Sequence, residues 1–184
     1  MCPKARALHG SGADLRGQTR GERGGDGVSW SATIWSGFVA SVLAACVFWL
    51  FRTFNLTLFS PTTQLGCLFH EEPRVPVTET VGLAIYLVLG VTVVAAVYGM
   101  LIRGLGGAGW DAGVVVGAVH GVLTVAALPF LGRASRCVRK GRIPHPGRLG
   151  LQWGASTPAV VVLGHMVYGG VLGAVLSGFA TVSP

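Results

Sequence analysis

The sequence predicts an all-α integral membrane protein, a bundle of four transmembrane helices. Three observations predict it. There are four apolar runs long enough to cross a bilayer, only 11% of the 184 residues are charged against 51% hydrophobic, and the basic residues lie between the runs rather than inside them. The mean hydropathy of +0.62 is too high for a soluble domain of this length. A formal charge of +7 would suit nucleic acid, but basic residues separated by apolar runs make no continuous soluble face, so nucleic acid is not expected as a partner. Anionic lipid or an acidic protein accounts for them more simply.

Residues 1–28 are rich in Gly, Arg and Asp and hold no apolar run that could form a signal-peptide core, so they read as a disordered basic tail. Met1-Cys2-Pro3 lacks the glycine that myristoylation requires. The first span covers about residues 30–51, with Trp30, Trp35 and Trp49 near its ends as an aromatic belt. It meets Arg52, and the first firm helix stop beyond it is Pro61, so the helix is free to run on to Ser60. Residues 61–79, with three prolines, Cys67, Glu71, Glu72 and Glu79, read as a polar connection. The second span covers 81–102. The short glycine-rich connection from Gly104 to Gly109 makes the second and third spans antiparallel neighbours, and it lacks the Lys and Ser/Thr of a phosphate-binding loop. The third span covers 110–131, opening on Trp110 and Asp111, with the acid favourable at a helix N-terminus, and ending shortly after Pro129. A basic loop follows with Arg133, Arg136, Arg139, Lys140, Arg142 and Arg148. The fourth span covers 159–180, just after Pro158. The domain organisation is therefore a tail followed by one membrane domain, residues 29–184.

Two counts bear on orientation. The tail and second loop carry six Lys or Arg, and the first and third loops carry eight. The positive-inside rule mildly favours a cytoplasmic third loop, whereas an unsignalled basic tail ordinarily stays in the cytoplasm, so orientation is left open. Of the cysteines, Cys46 should be buried in a helix. Cys67 and Cys137 fall on the same side of the bundle and pair only if that side is oxidising; unpaired thiols are the leading expectation.

Small residues recur at four-residue spacing: Gly37, Ser41 and Ala45; Gly82 and Gly90; Gly113, Gly117 and Gly121; Gly169, Gly173 and Ser177. Such ridges let backbones approach closely in lipid. They serve a compact bundle first, and packing against other membrane subunits second. The polar residues inside the spans are Tyr86, Tyr98, His120, His165 and Tyr168, and no Asp, Glu, Lys or Arg lies deep in any span. That weakens readings as a proton pump, ion exchanger or ion-coupled transporter. At ~1.5 Å per residue His120 and His165 lie at depths within roughly 6 Å of each other. Three readings compete for them: interhelical hydrogen bonding, which leads; axial ligation of a haem or chlorophyll-type pigment, with glycines beside each histidine to admit the macrocycle; and a metal or catalytic site, for which no further ligands are evident, so no metal is assigned. His70-Glu71-Glu72 fails the HExxH pattern because Arg74 stands at the second histidine position.

Residues 81–178 resemble a recurrent type of uncharacterised small four-helix membrane protein of prokaryotes. The resemblance rests on Gly90 and Tyr98-Gly99, on Gly117-Ala118-Val119-His120-Gly121 with Pro129 and Gly132, and on Gly164-His165-Met166-Val167-Tyr168-Gly169 with Leu172-Gly173. It implies a compact bundle in a prokaryotic inner membrane and no particular reaction. Such proteins often have a histidine early in the second span, where this chain has Tyr86, which counts against a shared multi-histidine metal or haem site. The leading function from sequence is a non-catalytic structural or accessory subunit. The alternatives are a haem- or pigment-binding electron-transfer protein using His120 and His165, and a small permease for a neutral solute. The basic loop, with Trp153 beyond it, is a candidate surface for anionic headgroups or an acidic protein.

Overall fold

The computed structural model describes residues 30–106 and 109–182, with side chains as far as Phe179. The basic tail and the middle of the Gly104–Gly109 connection lie outside the described residues. Helix α1 is Trp30–Thr53, α2 is Pro61–Gly66, α3 is Pro76–Leu89, α4 is Ala95–Gly104, α5 is Trp110–Ala134, α6 is Arg136–Arg139 and α7 is Thr157–Val182. A π-helical segment, Gly90–Val94, joins α3 to α4, so the two form one second span, Pro76–Gly104. A 3₁₀ segment covers Arg148–Trp153, and there is no strand among the described residues. Four helices, α1, α3–α4, α5 and α7, are long and apolar enough to cross a membrane. The chain is a multi-pass membrane protein with an all-α bundle fold.

Several boundaries differ from those the sequence suggests. The first helix stops at Thr53 instead of reaching Ser60, because the chain turns at Asn55 in a left-handed conformation (φ 56°) that Asn tolerates well. Beyond that turn, Leu58 N–H donates to the Trp153 carbonyl at 2.7 Å. The connection 61–79 is not only loop: Ser60 caps α2, with Pro61 in its first turn, and Pro76 opens α3, both suited to helix starts. Pro129 lies inside α5, which continues to Ala134.

The first and third connections meet on one end of the bundle, termed here the loop face. Cys67 and Cys137 form a disulfide across them, with Cα atoms 5.4 Å apart. Unpaired thiols were the sequence expectation; the pairing follows from α2, whose C-terminal end lies against α6, where Arg136 N–H donates to the Cys67 carbonyl at 2.7 Å. Arg142 pairs with Glu72 at 2.7 Å and Lys140 with Glu71 at 3.5 Å. Trp153, named from sequence beside the candidate basic surface, is 2% exposed and donates its indole N–H to the Pro144 carbonyl at 2.8 Å. Cys46, expected to be buried, is exposed on the outer face of α1, where lipid is its surroundings.

The small-residue ridges are used between the chain's own helices. A Cβ at Gly113 would fall on the Gly169 carbonyl oxygen, and one at Gly169 on that of Gly113; Gly117 sits against the His165 carbonyl, Gly121 against Val162, and Gly173 against the Gly109 carbonyl. This makes α5 and α7 the tightest pair. On the other side of the bundle Gly37 meets Val91 and Ala95, while Gly90 makes room for the Ser41 hydroxyl. Near the loop face Gly82 meets the Thr62 carbonyl and Gly66 that of Thr78, which seats α2 on α3. Dispersion gained at such close approach is what holds helices together in lipid, where hydrophobic burial between them contributes little.

Candidate ligand cavity

The second span does not pack evenly along its length. Its α4 half lies on α1, α5 and α7, whereas its α3 half rests mainly on α2 and the π-helical segment. A π-helical turn widens the helix and resets which face each half presents. Two hydrogen bonds mark the place: Thr92 Oγ1 donates back to the Val88 carbonyl at 2.6 Å, and the Tyr168 hydroxyl reaches from α7 to the Gly90 carbonyl at 2.5 Å. Tyr86, one turn earlier, donates to the Ser41 carbonyl at 3.0 Å, tying α3 to α1.

Where α3 stands away from α5 and α7 there is a cavity of about 240 Å³. Its inner end lies at mid-bundle, at Ser41, Gly90, His120, His165 and Tyr168, and its outer end is bordered by Pro61, Gln64, Leu65 and Leu68 of the α2 region. From His120 to Leu131, both lining residues of α5, the run is about 16 Å at 1.5 Å per residue, roughly half a hydrocarbon core. Phe48, Phe59, Leu89 and Val94 supply apolar wall. No Asp, Glu, Lys or Arg lines it. A dry cavity of about 150 Å³ already admits a benzene-sized molecule, so this one has space for a small organic ligand.

The polar groups at the inner end are mostly satisfied, and their pattern fixes their protons. His165 Nδ1 lies 2.7 Å from the Val161 carbonyl, an acceptor only, so Nδ1 carries the hydrogen. In the neutral ring Nε2 then accepts from Thr124 Oγ1 at 3.4 Å. Tyr98 is 2% exposed, and its hydroxyl has one partner, His120 Nδ1, at 2.9 Å. If His120 donated there, the tyrosine's own hydrogen would be buried unpaired, so Tyr98 donates and His120 keeps its proton on Nε2. No hydrogen bond is made by that Nε2–H among the described residues. One buried side-chain polar atom is also without a partner, the hydroxyl of Ser41, a fully buried residue that borders the cavity.

The two imidazoles meet edge to face with centroids 4.6 Å apart, and Tyr98 stacks edge-on against both His120 and Tyr168. This does not fit a haem or pigment held between the histidines. Axial ligation from both sides needs a free imidazole lone pair on each histidine, directed at one metal between them. Both nitrogens of His165 are already engaged, and the His120 lone pair accepts from Tyr98. No group of three or more His, Cys, Asp or Glu able to hold a metal occurs among the described residues.

Of the five polar residues singled out from sequence, Tyr86, His120, His165 and Tyr168 line the cavity, and Tyr98 adjoins it through its hydrogen bond to His120. The six basic residues lie elsewhere, at the loop face: Lys140 and Arg142 in ion pairs, Arg133 over the Phe130 ring at 5.6 Å, and Arg136, Arg139 and Arg148 exposed. Sequence reasoning gave no role in a site to Ala44, Phe48 and Gln64, and treated Ser41 as a packing residue only. The signal for the α2 part was present in Ser60-Pro61, a helix-cap pair; nothing in the sequence marks where α3 parts from α5. Comparison with protein-family models, with curated proteins and with solved structures gave no match.

Proposed function

We propose that this membrane protein binds a neutral, largely apolar small molecule inside its bundle. The observation that supports this reading is the cavity itself, with apolar walls, uncharged polar groups gathered at one end and no ionisable acid or Lys/Arg in its lining, the pattern of a small-molecule site. The accessory-subunit reading was motivated by glycine ridges in excess of what one bundle needs. Those ridges meet the chain's own backbone, so that motive is weakened. Passage of a solute through the bundle is a weaker variant, since beyond the cavity Gly113, Gly169 and Gly173 bring α5 and α7 into backbone contact.

The same reading includes an orientation. Its support is the Cys67–Cys137 bond, which persists where the compartment is oxidising; the loop face would then lie outside the cytoplasm and both termini inside. Two of the eight basic residues that argued the other way are paired with Glu71 and Glu72.

Solvent extraction of the purified chain, with mass analysis of what is released, tests the binding. Ala44 is buried and lines the cavity, so Ala44→Phe, or the milder Ala44→Leu, fills it. A molecule retained in near-stoichiometric amount by the wild type and lost from the filled variants is the expected result. Identical extracts from all three sink the proposal.

A further inference from the structure

We infer that the ligand is lipid-soluble and carries a neutral carbonyl oxygen, as a ketone, quinone or ester does, and that the Nε2–H of His120 is the group that holds it. The inference rests on the binding proposed above and adds the ligand's class and its route.

The class follows from the unused hydrogen-bonding capacity. Donation from Tyr98 into Nδ1 leaves His120 Nε2–H as a donor without an acceptor. The Ser41 hydroxyl is a second donor without a partner, buried at the cavity wall. A buried unpaired donor such as the Ser41 hydroxyl is costly, and what both groups lack is an acceptor. Tyr86 and Tyr168 spend their hydrogens on backbone carbonyls and His165 spends its own on Val161, so His120 and Ser41 are the free donors at the inner end. An anionic acceptor would enter without a countercharge and a cation would find no carboxylate, so a neutral oxygen fits.

The route follows from the position of His120. It lines the cavity and, with Val94, also the adjoining groove between α4 and α5 formed by Val93, Val97, Leu101, Val119 and Leu123. Several of these side chains are exposed and in a membrane would face acyl chains. The water-side end is bordered by α2, which the disulfide, two ion pairs in the loop after it and the Arg52 to Thr63 hydrogen bond at 3.1 Å fix in place. Entry is therefore from the bilayer, between the second and third spans.

The test uses the full chain in lipid nanodiscs with three probes of equal chain length: decane, 2-decanone and decylammonium. 2-Decanone should raise the unfolding midpoint, and a carbon-13-labelled carbonyl should show an infrared stretch shifted down by hydrogen bonding, in the wild type only. His120→Phe, made together with Tyr98→Phe so that no tyrosine hydroxyl is left unpaired, keeps both rings and removes the donor; the shifted band should vanish and the ketone should bind about two- to tenfold more weakly. Should that variant fail to fold, imidazole nitrogen-15 resonances of the wild type decide: the Nε2 resonance of His120 should shift on adding 2-decanone and stay unchanged with decane. Decane protecting as well as the ketone, decylammonium protecting better, or a ketone that protects without a shifted band overturns this inference and leaves binding intact. Absence of protection by any probe, or equal protection of Ala44→Phe, overturns the binding proposal as well.

Discussion

The two sides of the bundle use glycine to opposite ends. Between α5 and α7, Gly113, Gly117, Gly169 and Gly173 bring backbone onto backbone and leave no space. Between α1 and the second span, Gly37 again closes the gap, but Gly90 gives its space to a hydroxyl that has no partner, and a cavity opens beside it. Four-residue spacing of small residues therefore tells where helices approach, and not whether the approach ends in contact or in a void. The deciding features are a π-helical turn in one span and a short helix, α2, held against it.

The comparison is broken most severely on the tight side. Gly113→Leu would place a branched side chain on the Gly169 carbonyl, with backbone on both sides and no flexible atom to yield. Overpacking costs typically 1–3 kcal/mol where side chains can shift, so a loss of about 3 kcal/mol or more is expected here. Reversible unfolding in bicelles, or failure to recover folded protein, checks it. Ala44→Leu on the cavity side should cost less than about 1 kcal/mol in the same assay, because the added atoms enter existing space. Equal losses at the two sites would remove the distinction between tight and open sides.

Next in size is the disulfide. It closes a loop with a sequence separation of 70, for which chain-entropy reasoning gives up to about 4 kcal/mol. The spans remain inserted in lipid when unfolded, so the gain is smaller, about 1–3 kcal/mol. Cys67→Ser with Cys137→Ser should lower the unfolding midpoint, and the same fall should follow reduction of the wild type. Faster amide exchange should be confined to α2 and α6, with α5 and α7 unchanged. Thiol labelling from each side of sealed vesicles also settles orientation: after reduction, Cys67 and Cys137 should react from outside the cytoplasmic compartment.

How much of this was legible in the sequence differs between the same two sides. The four spans were, because run length against bilayer thickness is a strong constraint that little else satisfies. The α5–α7 contact was nearly so, since Gly113, Gly117 and Gly121 share one ridge, and rise per residue alone brings His120 and His165 to a common depth; their rings meet at 4.6 Å. The cavity was not. It depends on α2, a six-residue helix signalled only by Ser60-Pro61, and on the register change at Gly90–Val94, which Val-Thr-Val-Val gives no reason to expect. The Cys67–Cys137 pairing was hidden with it, because only α2 brings Cys67 to α6. Trp153, placed in sequence only as lying beyond the basic loop, is turned inward by the 3₁₀ segment, using left-handed Leu149 and Gly150.

The Tyr168 hydroxyl is the direct link between the two sides, running from α7 to the Gly90 carbonyl. Tyr168→Phe keeps the ring, including its contact with Tyr98, and removes that bond. The expected cost is about 1–2 kcal/mol, since the carbonyl of a widened turn is left without its side-chain donor. Amide exchange should rise in Gly90–Val94 before it rises in α5. A uniform rise would mean that the π-helical turn is held by α1 rather than by Tyr168.

The smallest expected effect has the opposite sign. Ser41 is fully buried and its hydroxyl unpaired, so Ser41→Ala removes a desolvated group and forms no large void. The apo protein should gain about 0.5–1 kcal/mol, seen as a higher unfolding midpoint in nanodiscs without added probe. A neighbouring change, Ser36→Ala, gives the contrast, because the Ser36 hydroxyl is equally buried but donates to the Ala32 carbonyl at 2.6 Å; it should be neutral or slightly destabilising. If Ser41→Ala instead destabilises the apo chain, the hydroxyl has a partner within the fold, and the open side is as fully satisfied as the closed one.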